Sequence, residues 1–365
     1  SLRSLLCTDE EHEFICSDYS AIEAVVIAML ANEPWRIEVF RTHGKIYEAS
    51  AASIFGVPIE EFHRYEGYTD AELAQPEWWT RKPAHKTGSK HPLRKHGKTA
   101  ELALQYKGWI GSLRAFGYDG TDEEGKKIIL DWQAASPNMV FLAGAQVCPQ
   151  STMLWHQQAI AAGGVINAGP EWELSRASAK GIPPWKCVPY LHGLEGMTIL
   201  ALLHPETQYP VMRLDGTFSG LTMYCHLDVL YMFLPDGSYI PYHRPRLGPP
   251  REGQEWRGQS ISFEGYNTNP KKGPYGWITM QLHAGILVEN SGQSVSNRIL
   301  RHGQHRLEAA GYPVVLHVYD ENASEVPKGF GSVEAFEAEM NVMPPWAADW
   351  PIKAKGGWRG RRYRK

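Results

Sequence analysis

Two acids stand side by side at Asp320 and Glu321, inside 314-VVLHVYDENASEV-326. Val314, Val315, Leu316 and Val318 read as one strand, and Ala323, Glu325 and Val326 open a second, so the pair falls at the tip of a hairpin. Neighbouring carboxylates there repel each other unless something cationic sits with them. The plain alternative is a solvated polar turn. A third acid, Asp18, ends the strand-like run HEFICSD at 12–18, and Glu23 opens the helix-like run that follows it. Ser20 and Glu23 also have capping-box spacing, and that reading is compatible with a chemical one. On another segment Arg94, Lys98, Leu102 and Tyr106 recur every four residues and therefore share one helical face. A solvated charged face is the plain reading of that row, although Ala103 and Leu104 make the helix amphipathic.

These residues need elements to position them. The pattern gives a strand over 12–18, a helix over 20–33, and a helix around 45–55 stopped by Gly56 and Pro58. It leaves 59–92 irregular, aromatic and increasingly basic. A helix follows over about 92–106, broken at Gly108. Further helices are expected over 121–135 and 150–162, while 163–228 is mixed. The run 230-LYMFLPDGSYIPYH-243 reads as a hairpin turned by Pro235-Asp236-Gly237, and 247–258 reads as a loop. One long helix over 286–311, ended by Gly311-Tyr312-Pro313, delivers the chain into the 314–326 hairpin. The expected class is α+β, with a small antiparallel sheet backed by helices and a mostly helical second domain.

Composition sets the outer limits. The chain has 365 residues, 43% hydrophobic and 21% charged, with a formal charge of −3. That length supports two or more domains, and the charge places any nucleic-acid surface in local patches. Five cysteines (Cys7, Cys16, Cys148, Cys187, Cys225) are scattered without metal-type spacing and read as reduced thiols. The most apolar run, 24-AVVIAMLA-31, is too short to cross a bilayer, and no membrane partner is expected. The start SLRSLLCTDEEHEF has no signal-peptide pattern and no Met, which suggests a fragment or a processed product.

In order and in neighbours, the three acid and base groups resemble the three polymerase motifs of family A DNA polymerases, the relatives of bacterial DNA polymerase I. The run 18-DYSAIE-23 looks like the family's Asp-Tyr-Ser-x-Ile-Glu. The run 94-RKHGKTAELALQYKG-108 keeps its Arg, Lys and Tyr, in wording closest to phage-encoded members. The run 319-YDE-321 matches His-Asp-Glu with the His changed, and 286-ILVENSGQSVSNRIL-300 resembles a phage-type Leu-Val-Glu-Asn-x-x-Gln helix. The resemblance covers most of the chain and is weakest across 59–92 and 135–280.

The resemblance implies a palm over 1–44 and 229–365 and fingers over 45–228, with 59–92 inserted. It implies template-directed DNA synthesis from dNTPs on a primer–template, in the cytoplasm of a bacterial host. Two Mg²⁺ ions would be held by Asp18, Asp320 and the Tyr19 carbonyl, with Glu321 beside them. Such ions lie about 3.5–4 Å apart and stabilise attacking and leaving oxygens together. Arg94 and Lys98 would grip the triphosphate, Lys98 also donating a proton to pyrophosphate. Tyr106 would stack near the template base, and Glu23 would block a ribose 2′-hydroxyl. Gln293 would touch the minor groove. Lys82, Lys86, Lys90 and the basic ending with Arg359, Arg361 and Arg362 are candidate phosphate contacts, or else disordered basic segments. Trp78-Trp79 reads as core packing ahead of base stacking, and His85, His91 and His96 as surface residues.

Several positions depart from the family. Leu102 stands where an aromatic ring usually meets the incoming sugar, Tyr319 replaces the His at the primer end, and Val25 replaces an Arg. Only seventeen residues precede Asp18, so thumb and exonuclease are expected to be absent from this chain. A separate upstream polymerase chain or a processivity factor is then an expected partner. Two other readings stay open: a non-catalytic DNA-binding or assembly subunit, and a two-metal nuclease. The Arg94-Lys98-Tyr106 row argues against a nuclease, which needs no triphosphate grip.

Overall fold

The computed structural model describes residues 5–147, 189–249, 259–270 and 273–363. They fall into two units, Ser1–Val26 with Gly292–Lys365, and Ile27–Ser291. The chain begins with β1 (His12–Asp18), then α1 (Ile22–Ala31), α2 (Pro34–Arg41), α3 (Ile46–Phe55), α4 (Ile59–Glu66) and α5 (Asp70–Leu73). Next come α6 (Arg94–Leu104), α7 (Ile110–Ala115), α8 (Asp122–Ala135), α9 (Pro137–Ala143), β2 (Ala145–Val147), β3 (Pro189–His192) and α10 (Gly193–Leu203). Six strands follow: β4 (Gln208–Met212), β5 (Phe218–His226), β6 (Val229–Phe233), β7 (Tyr239–Gly248), β8 (Ser260–Asn267) and β9 (Gly276–Leu282). Last are α11 (Ala284–Ala309), β10 (Val314–Val318), β11 (Glu321–Pro327), α12 (Val333–Met340) and β12 (Trp358–Gly360). The expected α+β class is borne out.

The first unit is built on an antiparallel sheet in the order β10-β11-β1-β12. Alternation along β1 sends Ile15, Ser17 and Tyr19 to one face and Phe14, Cys16 and Asp18 to the other. The first face meets helices. Ser17 Oγ donates to Glu337 of α12 at 2.9 Å, and the Tyr19 hydroxyl donates to the Met340 carbonyl at 2.7 Å. That phenol is buried, which pushes its pKa well up. Gln304 of α11 donates to Asn322 of β11 at 3.0 Å. At Gly303 a Cβ would lie 2.5 Å from the Tyr19 oxygen, so only glycine allows α11 to come this close. On the other face Phe14, Cys16, Ala323 and Tyr363 form a small core with Leu316 and Trp358.

In the second unit α6 lies tightly on α3. A Cβ at Gly97 would fall 2.1 Å from the Tyr47 carbonyl oxygen, so that contact also depends on glycine. Beneath α6 a bidentate ion pair joins Arg36 to Glu101, with side chains 1% and 2% exposed. Trp132 Nε1 donates to Glu101 at 2.9 Å, and Arg36 donates to Ser136 Oγ at 2.9 Å. A charged pair this deep is tolerable because its lone pairs and protons are used. Nearby, His63 packs on Trp78 (4.4 Å between ring centroids), His43 (5.2 Å) and Tyr68 (6.3 Å). Lys45 pairs with Glu66 and lies over the Tyr68 and Trp78 rings. Neither His63 ring nitrogen has a hydrogen-bond partner. Burial first, then the Lys45 ammonium, lowers the His43 pKa to about 4 and the His63 pKa to about 3.

The same unit carries an antiparallel six-stranded sheet in sequential order β4 to β9, with α10 against it. Val211, Leu221, Met223, Leu230 and Met232 are buried. On the opposite face of β5, β6 and β7 run Tyr224, Tyr231, Phe233 and Tyr239, whose neighbouring rings lie 5.2–6.5 Å apart.

Several expectations need correction. Residues 59–66, read as irregular, form α4, ended by Gly67 in the left-handed region. His91 is buried against Phe62, at 4.2 Å, rather than exposed. Helix α1 starts at Ile22 with Ala21 at φ 50°, so Ser20 precedes the helix by a residue more than capping-box spacing requires. The 230–243 hairpin is one part of the larger sheet. The helix expected over 150–162 lies outside the described residues, as do all of 163–188 and residues 250–258 of the expected loop. The described part of the ending, to residue 363, is no loose tail, because β12 pairs with β1. The two compact units divide at Val26/Ile27 and Ser291/Gly292. Among the described residues Cys7, Cys16 and Cys225 form no disulfide, and no helix is long and apolar enough to cross a membrane.

Two measurements check this account of the second unit. Glu101→Ala leaves the Arg36 charge buried without its carboxylate, and should lower unfolding free energy by about 3–5 kcal/mol. For His43 and His63 the folded pKa lies below the unfolded value of 6.5. Their contribution is therefore present above pH 6.5 and lost as pH falls towards 4. His63→Phe, which keeps a ring and removes the titration, should make the fall of melting temperature between pH 6.5 and 4 shallower; an unchanged slope would contradict it.

Candidate active site

Register brings the acids together. Residues 12–18 of β1 pair antiparallel with β11, and Asp18 comes to lie directly opposite Glu321. Directly opposed residues point to the same face, with Cβ atoms about 4.5–5.5 Å apart. The Tyr19 N–H donates to the Asp320 carbonyl at 3.0 Å, so the residue after the first acid is tied to the second. This register is held by the helix-facing residues of both strands. A slip of one residue would drive Ile15, Tyr19 and Val326 out of the core and turn Asp18 inward. The far side of the same stretch is clasped as well. Ser20 N–H donates to the Lys353 carbonyl at 2.9 Å, and Lys355 N–H donates to the Asp18 carbonyl at 3.3 Å.

The hairpin between β10 and β11 pairs Val318 with Glu321, leaving Tyr319 and Asp320 as the two turn residues. Tyr319 has φ 54°, a left-handed conformation that a two-residue hairpin demands and that glycine normally supplies. Its side chain is 89% exposed. Strain of this kind, of order 1–3 kcal/mol, persists only where surrounding structure holds it. Asp18, Asp320 and Glu23 are half-buried, whereas Glu321 is 3% exposed and accepts a hydrogen bond from the Tyr363 hydroxyl. Glu23 lies in the first turn of α1, where a carboxylate is favoured by the helix dipole.

The donors expected here are the carboxylates of Asp18, at the end of β1, and of Asp320, in the adjoining turn, with the Tyr19 carbonyl. Hard oxygens without nitrogen or sulfur suit Mg²⁺ better than a softer transition metal. Among the described residues no group of three or more His, Cys, Asp or Glu side chains is arranged to hold an ion. The set expected from the sequence, two carboxylates and the Tyr19 carbonyl, is smaller than such a group.

The cationic row belongs to the second unit. On α6 Arg94 and Leu102 are half-buried and Lys98 is exposed, while Gly97, Ala100, Glu101 and Leu104 face inward. Tyr106 lies just past the helix end and is half-buried. Arg94 Nε donates to Glu48 at 2.5 Å, and its guanidinium sits 5.2 Å from the Tyr47 ring centroid. Lys98 Nζ lies 6.0 Å from the same ring. Glu48 and Tyr47 thus orient the outward row, a role that sequence reading missed.

The remaining candidates are scattered through the first unit. Gln293 is exposed on α11. Arg359 forms an ion pair with Glu13 at 2.7 Å and donates to the Gly331 carbonyl at 2.9 Å. Arg361 and Arg362 are exposed, with backbone joined to Thr8 and Cys7. Tyr363, Arg36 and Glu101 were not singled out from the sequence. Glu101 carried a faint signal, being an acid among Gly97, Ala100 and Leu104 on the apolar side of its helix.

No protein-family model matches the chain. Over 358 residues it is 30% identical to a DNA polymerase of Bacillus phage SP02, a match covering 97% of this chain and 42% of the relative. The chain therefore spans about two-fifths of that relative's length. Among solved structures it resembles the POL domain of Pol1 from M. smegmatis in complex with DNA primer-template and dNTP. That match has a TM-score of 0.50 and 15% identity, and it covers 99% of this chain and 42% of the other. At such identity the likeness concerns fold alone. By sequence and by fold, nearly the whole of this chain is similar to part of a DNA polymerase, as its motifs led one to expect.

Proposed function

We propose that this chain is the palm and fingers portion of a phage-type family A DNA polymerase, adding dNTPs to a primer 3′ end under the direction of a template. The observation that carries the reading is the meeting of Asp18 with the Asp320-Glu321 turn, since acids remote in sequence are placed side by side by register and backbone hydrogen bonds. The four-stranded sheet supports the palm reading, and the helices around α6 support the fingers.

Asp18, Asp320 and the Tyr19 carbonyl would hold the two Mg²⁺ ions, with Glu321 beside them. Bound there, the ions supply charge stabilisation to the attacking and leaving oxygens of an in-line displacement. Every other part of the work falls to the chain. Arg94 and Lys98 bind the triphosphate, and Lys98 passes a proton to the departing pyrophosphate. Tyr106 stacks near the template base, and Leu102 lies against the incoming sugar. Glu23 closes the space a 2′-hydroxyl would need. Tyr319, exposed at the turn, meets the primer end. Gln293, Arg361 and Arg362 contact DNA, and Arg359 adds charge to the same ending. Such a protein would act in the cytoplasm of a bacterial host.

The relative's greater length supports a second reading, in which this chain binds primer–template and adds nucleotides only with an upstream polymerase chain or processivity factor. Primer extension with Mg²⁺ and dNTPs, run with and without the remaining part of the phage relative, separates the two. In whichever setting extends, Asp320→Ala and Asp18→Ala should each lower the rate by about three orders of magnitude, several kcal/mol of transition-state stabilisation, while primer–template binding persists. Extension that survives either change would remove the metal assignment. Glu23→Ala should lower the dNTP-over-rNTP ratio of kcat/KM by about tenfold or more, since a steric gate acts through exclusion; an unchanged ratio would take Glu23 out of sugar selection.

A further inference from the structure

We infer that Tyr363, near the carboxyl end, is a positioning residue for the acid centre, acting through its hydrogen bond to Glu321; the inference rests on the function proposed above. Glu321 lies directly across from Asp18 and immediately follows Asp320. It is 3% exposed, and its Oε2 accepts a hydrogen bond from the Tyr363 hydroxyl. A hydrogen bond to an ionised acceptor is among the stronger and more directional ones. It fixes one oxygen of a buried side chain that adjoins the proposed ion ligands.

The donor is itself held from three sides. Its ring is 2% exposed, lies among Phe14, Cys16 and Ala323, and meets Trp358 edge-on at 5.7 Å. Its backbone N–H donates to the Leu6 carbonyl at 3.1 Å, and two residues earlier the Arg361 carbonyl accepts from Thr8 at 3.0 Å. Upstream, β12 pairs Trp358 with Cys16 and Gly360 with Phe14 on the outer edge of β1. Arg359 fastens the same strand to Glu13 and Gly331. Residues 358–363 are therefore laid along the strand that carries Asp18, and the Tyr363 phenol oxygen reaches Glu321.

A phenylalanine would fill the same apolar space. What tyrosine adds is an oxygen placed on the one acid that adjoins both proposed ion ligands. By fixing Glu321, Tyr363 keeps that side chain from swinging into the ion-binding position. Groups that orient ligands in this way are commonly worth 10–100-fold in metal affinity or activity.

The test is a double-mutant cycle on the full chain, with Tyr363→Phe, Glu321→Gln and both together. Three quantities are measured: folding by circular dichroism and melting, Mn²⁺ affinity from the free-ion paramagnetic resonance signal, and kcat and KM for dNTP in primer extension. Asp320→Ala is the reference for a lost ion. Tyr363→Phe should fold, bind Mn²⁺ about tenfold or more weakly, and lose kcat to a similar degree while KM for dNTP holds. The double variant should be no weaker than Glu321→Gln alone, because both changes break one link. Wild-type Mn²⁺ binding by Tyr363→Phe, losses that multiply in the double variant, or a Tyr363→Phe chain that does not fold would each overturn the inference. Non-additive Mn²⁺ losses with no extension by any form, wild type included, even when the remaining part of the phage relative is added, would keep the positioning role and remove the polymerase reading.

Discussion

Like charges do not gather without help, and the first unit is organised around making them do so. Asp18, Asp320 and Glu321 come from two segments at opposite ends of the chain, and two hydrogen-bonded strands set them side by side. In water such a group would spread apart, because each carboxylate raises the cost of ionising its neighbour. Here backbone register decides their separation, and that register is decided by what the strands bury. Ile15 on β1, Tyr19 just beyond its end and Val326 on β11 are fully enclosed, so the acids occupy the positions left over by a well-determined core.

The same logic runs outward from the sheet. Tyr19 is tied by its amide to Asp320 and by its hydroxyl to α12, and Gly303 gives it room beside α11. The helix carrying Glu23 starts directly after the strand carrying Asp18. On the far edge, 353–355 and β12 clasp β1, and Tyr363 reaches back to Glu321. Few of these contacts are large in energy. Together they leave the acids few alternative positions. In the second unit the outward row Arg94-Lys98 depends in the same way on contacts beneath it. Gly97 seats α6 on α3, and the Arg36–Glu101 pair fixes its rotation.

What could be read in advance follows from which signals are local. Strand β1, the hairpin β10–β11, α6 and the 26-residue α11 each announce themselves through alternation, helical period or stop residues. The acids at the hairpin tip and at the end of β1 were legible because their motifs are contiguous. The six-stranded sheet was not. Its outer positions hold Tyr224, Tyr231 and Phe233, so apolar residues occupy both faces and alternation vanishes, while Pro241 and Pro245 argue locally against a strand in β7. Helix α4 was hidden by the irregular, basic run that follows it. Tyr363 and Arg36 were invisible for a different reason. Each acts through a partner far away in sequence, Glu321 for one and Glu101 for the other, and neither has a neighbour that marks it.

One observation bears most directly on the central claim. Crystals of the chain grown with Mn²⁺ and primer–template would show, by anomalous scattering, where the ion sits. The account places the peak in direct coordination with an oxygen of Asp18 and an oxygen of Asp320 together. A peak that touches only one of them, or well-ordered side chains at both positions with the scattering elsewhere in the molecule, would contradict it.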